Sequence, residues 1–210
     1  MNKRGLVNWA IWIGVASAIY VAIYALVIIP WTGTVLGSGW HVMCATFTAL
    51  PIYFISGAQR GEFWKFIGSN IVGVLWAMVY LVCMDRLAAA GLPFWLNGFI
   101  VIAIICTVEC AIHFVLPDWL PFNKVPAHFG AISNSFWCSN LTIALLGTGK
   151  TSIGGMYNFS AFLFLTITLC CGVTLALICN EGLNFIDAET GKWRWPVKKE
   201  KAAQEVLVGK

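Results

Sequence analysis

Charge is what this sequence mostly lacks. From Leu6 to Gln59 there is no Asp, Glu, Lys or Arg, and the same holds over Phe66–Met84, Leu87–Val108, Val125–Gly149 and Thr151–Asn180. Only 10% of the 210 residues are charged, against 60% that are hydrophobic. A soluble domain of that balance would bury all it can and still present an oily surface to water, so a soluble fold is excluded. Charge-free runs near or above the ~20 residues that cross ~30 Å of hydrocarbon read as membrane spans.

Other absences narrow the function. The stretch "ALLGTGKTS" at 144–152 imitates a phosphate-binding loop, but Gly149, Lys150 and Thr151 need a glycine at the position held by Ala144, and no strand leads in. It reads as a hinge between two helices, and no nucleotide is expected. The eight cysteines form no C-x-x-C pair and lie inside or at the ends of apolar segments, where thiols behave as small hydrophobes. Neither a disulfide framework nor a metal or other cofactor is expected. Nucleophile–base arrangements and paired carboxylates are missing too, so an enzyme is not expected, and nothing points to nucleic acid.

What is there is six apolar pieces. Turn residues and charges place them at about Leu6–Ile29, Trp40–Ser56, Trp64–Met84, Phe94–Leu116, Ala127–Gly147 and Ile153–Cys179. The first follows Lys3 and Arg4 and contains "ASA", as a signal peptide does, but runs too long and reads as an uncleaved span. Backbone groups in lipid must pair within the segment, and strand-like alternation is absent, so the pieces are helices. The expected fold is all-α and polytopic, with six transmembrane helices. Residues 1–87 form a first three-helix half, 88–180 a second, and 181–210 a basic tail.

Positive charge sets the orientation. With the N-terminus inside, Lys3, Arg4, Arg60, Lys65, Lys124, Lys192, Arg194, Lys198, Lys199, Lys201 and Lys210 face the cytoplasm, and only Arg86 and Lys150 lie outside. That matches the positive-inside rule. Both termini are therefore expected in the cytoplasm, with the tail from Glu181 lying along the anionic leaflet or partly disordered.

Three spans per half would give the halves opposite orientations, as in inverted repeats. One pairing matches His41 with His128, and Asn70 in "NIVGVLW" with Asn158 in "NFSAFLF". Ala10, Gly14, Ala18 and Ala22 repeat every four residues along the first span. Such a stripe lets helix backbones approach closely, against another span or another subunit.

Polar residues within the spans are the candidate site. Glu109 is the only acid well inside one, and His113 at i+4 shares its helix face. The short link that follows brings His128 to the same end. Ionisable groups in a membrane face a cavity or one another, so these three form either a proton-accepting vestibule or an interhelical tie. Ser133, Asn134, Ser135, Ser139 and Asn140 on the fifth span line a wet path or bond across packed helices, with Trp76, Phe136 and Trp137 as constrictions.

The stretch "CATFTALPIYFISGAQRGEFWKFIGSNIVGVLWAMVYLV", with "VPAHFGAISNSFWCSN" later, resembles a small bacterial inner-membrane family of unknown function typified by YcdZ. The resemblance covers about residues 5–180. It implies a compact polytopic protein of the bacterial inner membrane and carries over no functional residue.

The expected function is a homo-oligomeric channel or facilitator for a small neutral solute such as urea, an amide, ammonia or a short acid. Its pore or solute-binding residues are His41, Asn70, Trp76, Glu109, His113, His128, Asn134, Trp137 and Asn158. One alternative is a membrane scaffold or sensor recruiting a cytoplasmic partner through the basic tail. Another is a proton-coupled transporter using Glu109.

Overall fold

The computed structural model describes residues 2–30, 39–145 and 159–195; side chains at 39–42, 94, 138–145 and 159–162 fall outside that description. Among the described residues the regular elements are helical, apart from one isolated bridge between Ile186 and Trp193. Helix α1 spans Lys3–Ile23 and continues through a π-helical turn, Tyr24–Ile28. Helix α2 is Gly39–Ile55, and α3 is Phe63–Ala89 after a 3-10 turn at Arg60–Glu62. Helix α4 runs through Phe94–Val101, a π turn at Ile102–Cys106, and Thr107–Val115. Helix α5 is Val125–Leu145, and α6 is Phe159–Glu181, followed by a 3-10 turn at Gly182–Phe185. Among the described residues four stretches are long and apolar enough to cross a membrane: Lys3–Ile28, Arg60–Ala89, Trp95–Val115 and Leu163–Phe185.

The centre is a four-helix core in which α2 packs on α6 and α3 on α5, with α1 and α4 on the outside. Glycines set how close these helices come. A Cβ at Gly73 of α3 would meet Cα and O of His128 and Cβ of Ala131 on α5, all within 3.0 Å. One at Gly172 of α6 would meet Cα and O of Thr46 and Cβ of Ala49 on α2, again all within 3.0 Å. The two central contacts are thus built alike, and His128 holds in one the place that Thr46 holds in the other. That register differs from the His41–His128 and Asn70–Asn158 pairing read from the sequence. Asn158 and the side chain of His41 lie outside the described residues.

Ion pairs gather one end of the bundle. Arg60, before α3, pairs with Glu181 at the end of α6; Glu62 pairs with Lys65 and with Lys124, just before α5. The N-terminus joins them, since Asn2 caps α1 by accepting from the Gly5 amide and donates to the Glu189 carbonyl at 2.6 Å. Hence the start of α1, the α2–α3 link, the α4–α5 link and the end of α6 share one end, while Arg86 closes α3 at the other.

The first part of the tail is more ordered than its composition suggests. Residues 182–195 fold back on the start of α1: Asn8 donates to the Gly191 carbonyl, and Trp12 stacks on Phe185 and tilts against Trp193. Asp187 accepts from the backbone and hydroxyl of Thr190, which closes the turn. Polar composition hid this because the holding groups sit on α1. Residues 196–210 lie outside the described residues.

Among the described residues the small-residue stripe on α1 is left uncovered. Ala10, Gly14, Ala18 and Ala22 are all exposed, and a Cβ at Gly14 has nothing within 4 Å. The face of α1 that does pack carries Trp9, Trp12, Tyr20 and Tyr24, whose rings and polar tips find partners on α2 and α6. Among the described cysteines none is joined to another. The loop containing "GTGKTS" lies outside the described residues.

Candidate functional site

The site forms where α3, α4 and α5 meet. On α4, Val101 and His113 are buried and Ile105 partly so, with Glu109 fully enclosed between them in the same every-fourth row. In a regular α-helix such a row drifts by about 40° per step. The π turn at Ile102–Cys106 widens the helix locally, offsetting the drift and keeping the carboxylate and imidazole aimed at the core. On α3, Asn70, Gly73, Ala77 and Tyr80 form the buried stripe that an i, i+3, i+7 pattern dictates. Helix α5 starts beside its first-turn residue Pro126, which suits that position, and it carries His128 into the site.

Glu109 and His128 are both fully buried, with Oε1 and Nδ1 3.4 Å apart. The other carboxyl oxygen of Glu109 accepts from the Tyr80 hydroxyl at 2.9 Å. His128 Nε2 lies 3.1 Å from the Phe122 carbonyl. A carbonyl only accepts, so Nε2 carries hydrogen. Nδ1 then either holds a second proton or turns a bare lone pair toward Oε1. Oε1 and Nδ1 are each buried without a hydrogen bond, and two bare lone pairs facing each other would repel, so the contact suits one further proton. It sits on the carboxyl or on the imidazole, and the pair is net neutral either way. Burial of an unpaired charge at this depth is what that arrangement avoids.

His113 is fixed differently. The Trp76 indole donates to its Nε2 at 2.9 Å, and an indole N–H only donates. His113 is therefore neutral with hydrogen on Nδ1, which is buried without a hydrogen-bond partner. Its ring packs edge-on against His128 with centroids 4.1 Å apart. The Nδ2 amide of Asn70, lower on the same α3 face, is another buried donor with no hydrogen-bond partner. Such donors are costly to leave unmade.

The sequence-derived set is thus partly assembled. Glu109, His113, His128 and Trp76 come together, and Asn70 shares the α3 face. Asn134 does not join them: its amide donates back to the Gly130 carbonyl on its own helix, as Ser135 does to Ala131. Trp137 is 60% exposed, so it faces away from the core. Tyr80 was missed, although a tyrosine four residues after Trp76 in an apolar span needs a partner for its hydroxyl.

A second polar group lies between α1, α2 and α6. Tyr20 bonds to the Thr46 hydroxyl, Thr46 donates to the Thr168 carbonyl, and Tyr24 bonds to the Thr168 hydroxyl. Thr46 and Thr168 are fully buried. No family model, curated protein or solved structure matches the chain. Function therefore has to come from the site itself.

Proposed function

We propose that the chain is a polytopic membrane protein that passes a small solute across the bilayer under control of the proton held between Glu109 and His128. The observation that carries this reading is the buried Oε1–Nδ1 contact, which suits one exchangeable proton. A neutral-solute facilitator needs no such group, so the geometry favours the proton-coupled form of the transport reading. Candidate solutes remain urea, small amides, ammonia and short acids.

The reading takes the protein as six spans with both termini cytoplasmic, in the bacterial inner membrane that the family resemblance implies. Its support is the gathering of the chain's start, the α2–α3 and α4–α5 links and the end of α6 at one end, as an even number of crossings demands. Those segments also carry most of the described basic residues. The matched Gly73 and Gly172 contacts support two inverted three-helix halves. On this placement Glu109 lies about 9 Å in from the cytoplasmic end of α4 at 1.5 Å per residue, beneath the 116–124 link. The exposed stripe on α1 is the natural contact of a homo-oligomer.

The scaffold reading draws less support, because residues 182–195 of the tail are held on α1. The deciding experiment is flux of urea, acetamide, methylammonium and acetate in proteoliposomes with and without a pH gradient. Wild type should move one of these faster than empty vesicles with a rate set by pH, and Glu109→Gln should lose that dependence. No flux for any of the four, or an unchanged pH profile in the variant, sinks the reading.

A further inference from the structure

The two central helix contacts extend into a complete set of correspondences. If Thr46 answers to His128 and Ala49 to Ala131, as the Gly73 and Gly172 contacts imply, then "ATFTA" at 45–49 lies over "AHFGA" at 127–131. Matching Gly73 to Gly172 lays "GVLWA" at 73–77 over "GVTLA" at 172–176, and Ser69 over Thr168, both fully buried. The contact between α2 and α5 adds a separate check. A Cβ at Gly130 would sit 3.8 Å from the Thr48 methyl, and in this register Thr48 and Gly130 answer to each other. A residue touching its own counterpart is what a two-fold axis requires.

The outer helices follow. Tyr20 on α1 reaches Thr46, and Glu109 on α4 reaches His128. Four residues on, Tyr24 reaches Thr168 on α6 and His113 meets Trp76 on α3; the helices correspond, although in this register Thr168 answers to Ser69 and not to Trp76. "AI" follows two residues after Tyr20 and after Glu109 alike, and Asn8 and Asn97 stand at matching distances before them. Both asparagines donate to a backbone carbonyl, of Gly191 and Met84 respectively.

From this register we infer that Tyr20, Tyr24 and Thr46, with Thr168 beside them, are the first half's version of the Glu109 site: an uncharged solute-contact site toward the opposite face of the membrane. There the solute exchanges hydrogen bonds with hydroxyls and no proton moves. The register rests on the contacts alone; the role in solute contact rests on the transport reading above. An axis in the membrane plane carries a site near the cytoplasmic end to one near the other end, and Tyr20 lies roughly 26 Å along α1 from Lys3 at 1.5 Å per residue. The groups facing Tyr20 are Thr46, Tyr24 and Cys171. Those facing Glu109 are Tyr80, His128 and Cys110, with His113 behind. Among the described side chains, imidazoles, which ordinarily titrate near neutrality, occur only in the second set, so the titrating pair described here acts from the cytoplasmic side.

Two measurements test the assignment. Tyr20→Glu with Thr46→His rebuilds a carboxyl–imidazole pair in the first half. In histidine-labelled protein, 15N NMR should show the added imidazole titrating about one pH unit or more away from its position in Thr46→His alone. Identical titration with and without the glutamate overturns the register. The second measurement uses Tyr20→Phe and Thr46→Val in proteoliposomes, with whichever of the four probes wild type passes best. Each should slow flux about tenfold or more and leave the pH midpoint unmoved; unchanged flux or a shifted midpoint overturns the site. This arm decides should the double variant fail to fold. Wild type that passes no probe removes the transport reading, and with it the solute role, while the NMR comparison still decides the register.

Discussion

His128 turns Nδ1 toward Glu109 at 3.4 Å while its Nε2 faces the Phe122 carbonyl at 3.1 Å, so one edge of the buried ring is bonded and the other lies beside the carboxyl without a hydrogen bond. The Phe122 contact fixes the tautomer and leaves the Glu109 side to carry the variable proton. Replacing the carboxyl by an amide keeps this geometry, since the side-chain amide introduced by Glu109→Gln donates to Nδ1 and still accepts from Tyr80. Glu109→Leu strands the Tyr80 hydroxyl and His128 Nδ1 in an apolar site, at about 1–3 kcal/mol each. Glu109→Leu should therefore unfold well before Glu109→Gln in detergent denaturation. Equal midpoints would mean that the carboxyl bonds to neither partner.

Glycines separate close helix contact from lipid-facing surface. Gly73→Ala drives a methyl into the backbone of His128 and should cost about 1–3 kcal/mol, the usual penalty for overpacking. Gly14→Ala meets nothing within 4 Å in the chain, so it should leave the monomer's melting unchanged. Sedimentation of the two variants separates a further role: Gly14→Ala should weaken association only if the α1 stripe joins subunits. A Gly73→Ala variant as stable as wild type would contradict the α3–α5 contact.

Much of this was legible in the sequence, for a physical reason. Helix positions follow from charge-free length, and Glu109 with His113 follows from i+4 spacing, because both depend on neighbours in the chain. The short α4–α5 link carried His128 along with them. Tyr80 lies 29 residues from Glu109, and no local pattern ties the two. Asn134 and Trp137 misled because polarity and aromaticity do not say which way a side chain turns: one bonds its own helix, and the other faces outward. The pairing of His41 with His128 was made by residue identity, whereas the contacts at Gly73 and Gly172 set His128 against Thr46.

The hairpin after α6 should respond to acid in a stated direction. Hydrogen bonds from the backbone and hydroxyl of Thr190, and from the Glu189 amide, hold the Asp187 carboxyl below the usual carboxylate range. A lowered folded-state value stabilises the turn above the unfolded value and loses that stabilisation as pH falls through the folded one. Amide exchange at Thr190 should stay slow at neutral pH and speed up only below the ordinary aspartate range. Asp187→Ala should exchange fast at both. A wild-type turn that opens near pH 6 would place the control on another group.

Gly191 closes the same hairpin against the start of α1. Its φ of +67° suits glycine, and a Cβ there would run into Asn2 and the backbone of Gly5. Gly191→Ala should release the 182–195 segment from α1, exposing it to proteases added to inside-out vesicles and leaving right-side-out cells unaffected. The sidedness matters as much as the cleavage. Asn2 and Glu189 are hydrogen-bonded, so both must occupy one compartment, whereas Lys150 should be reached only from the other. Cleavage of the variant from outside would invert the orientation, and labelling of a cysteine at position 150 from the compartment that reaches 189 would mean that α6 does not cross the membrane. The cytoplasmic placement of the Glu109 proton would fall with the first result.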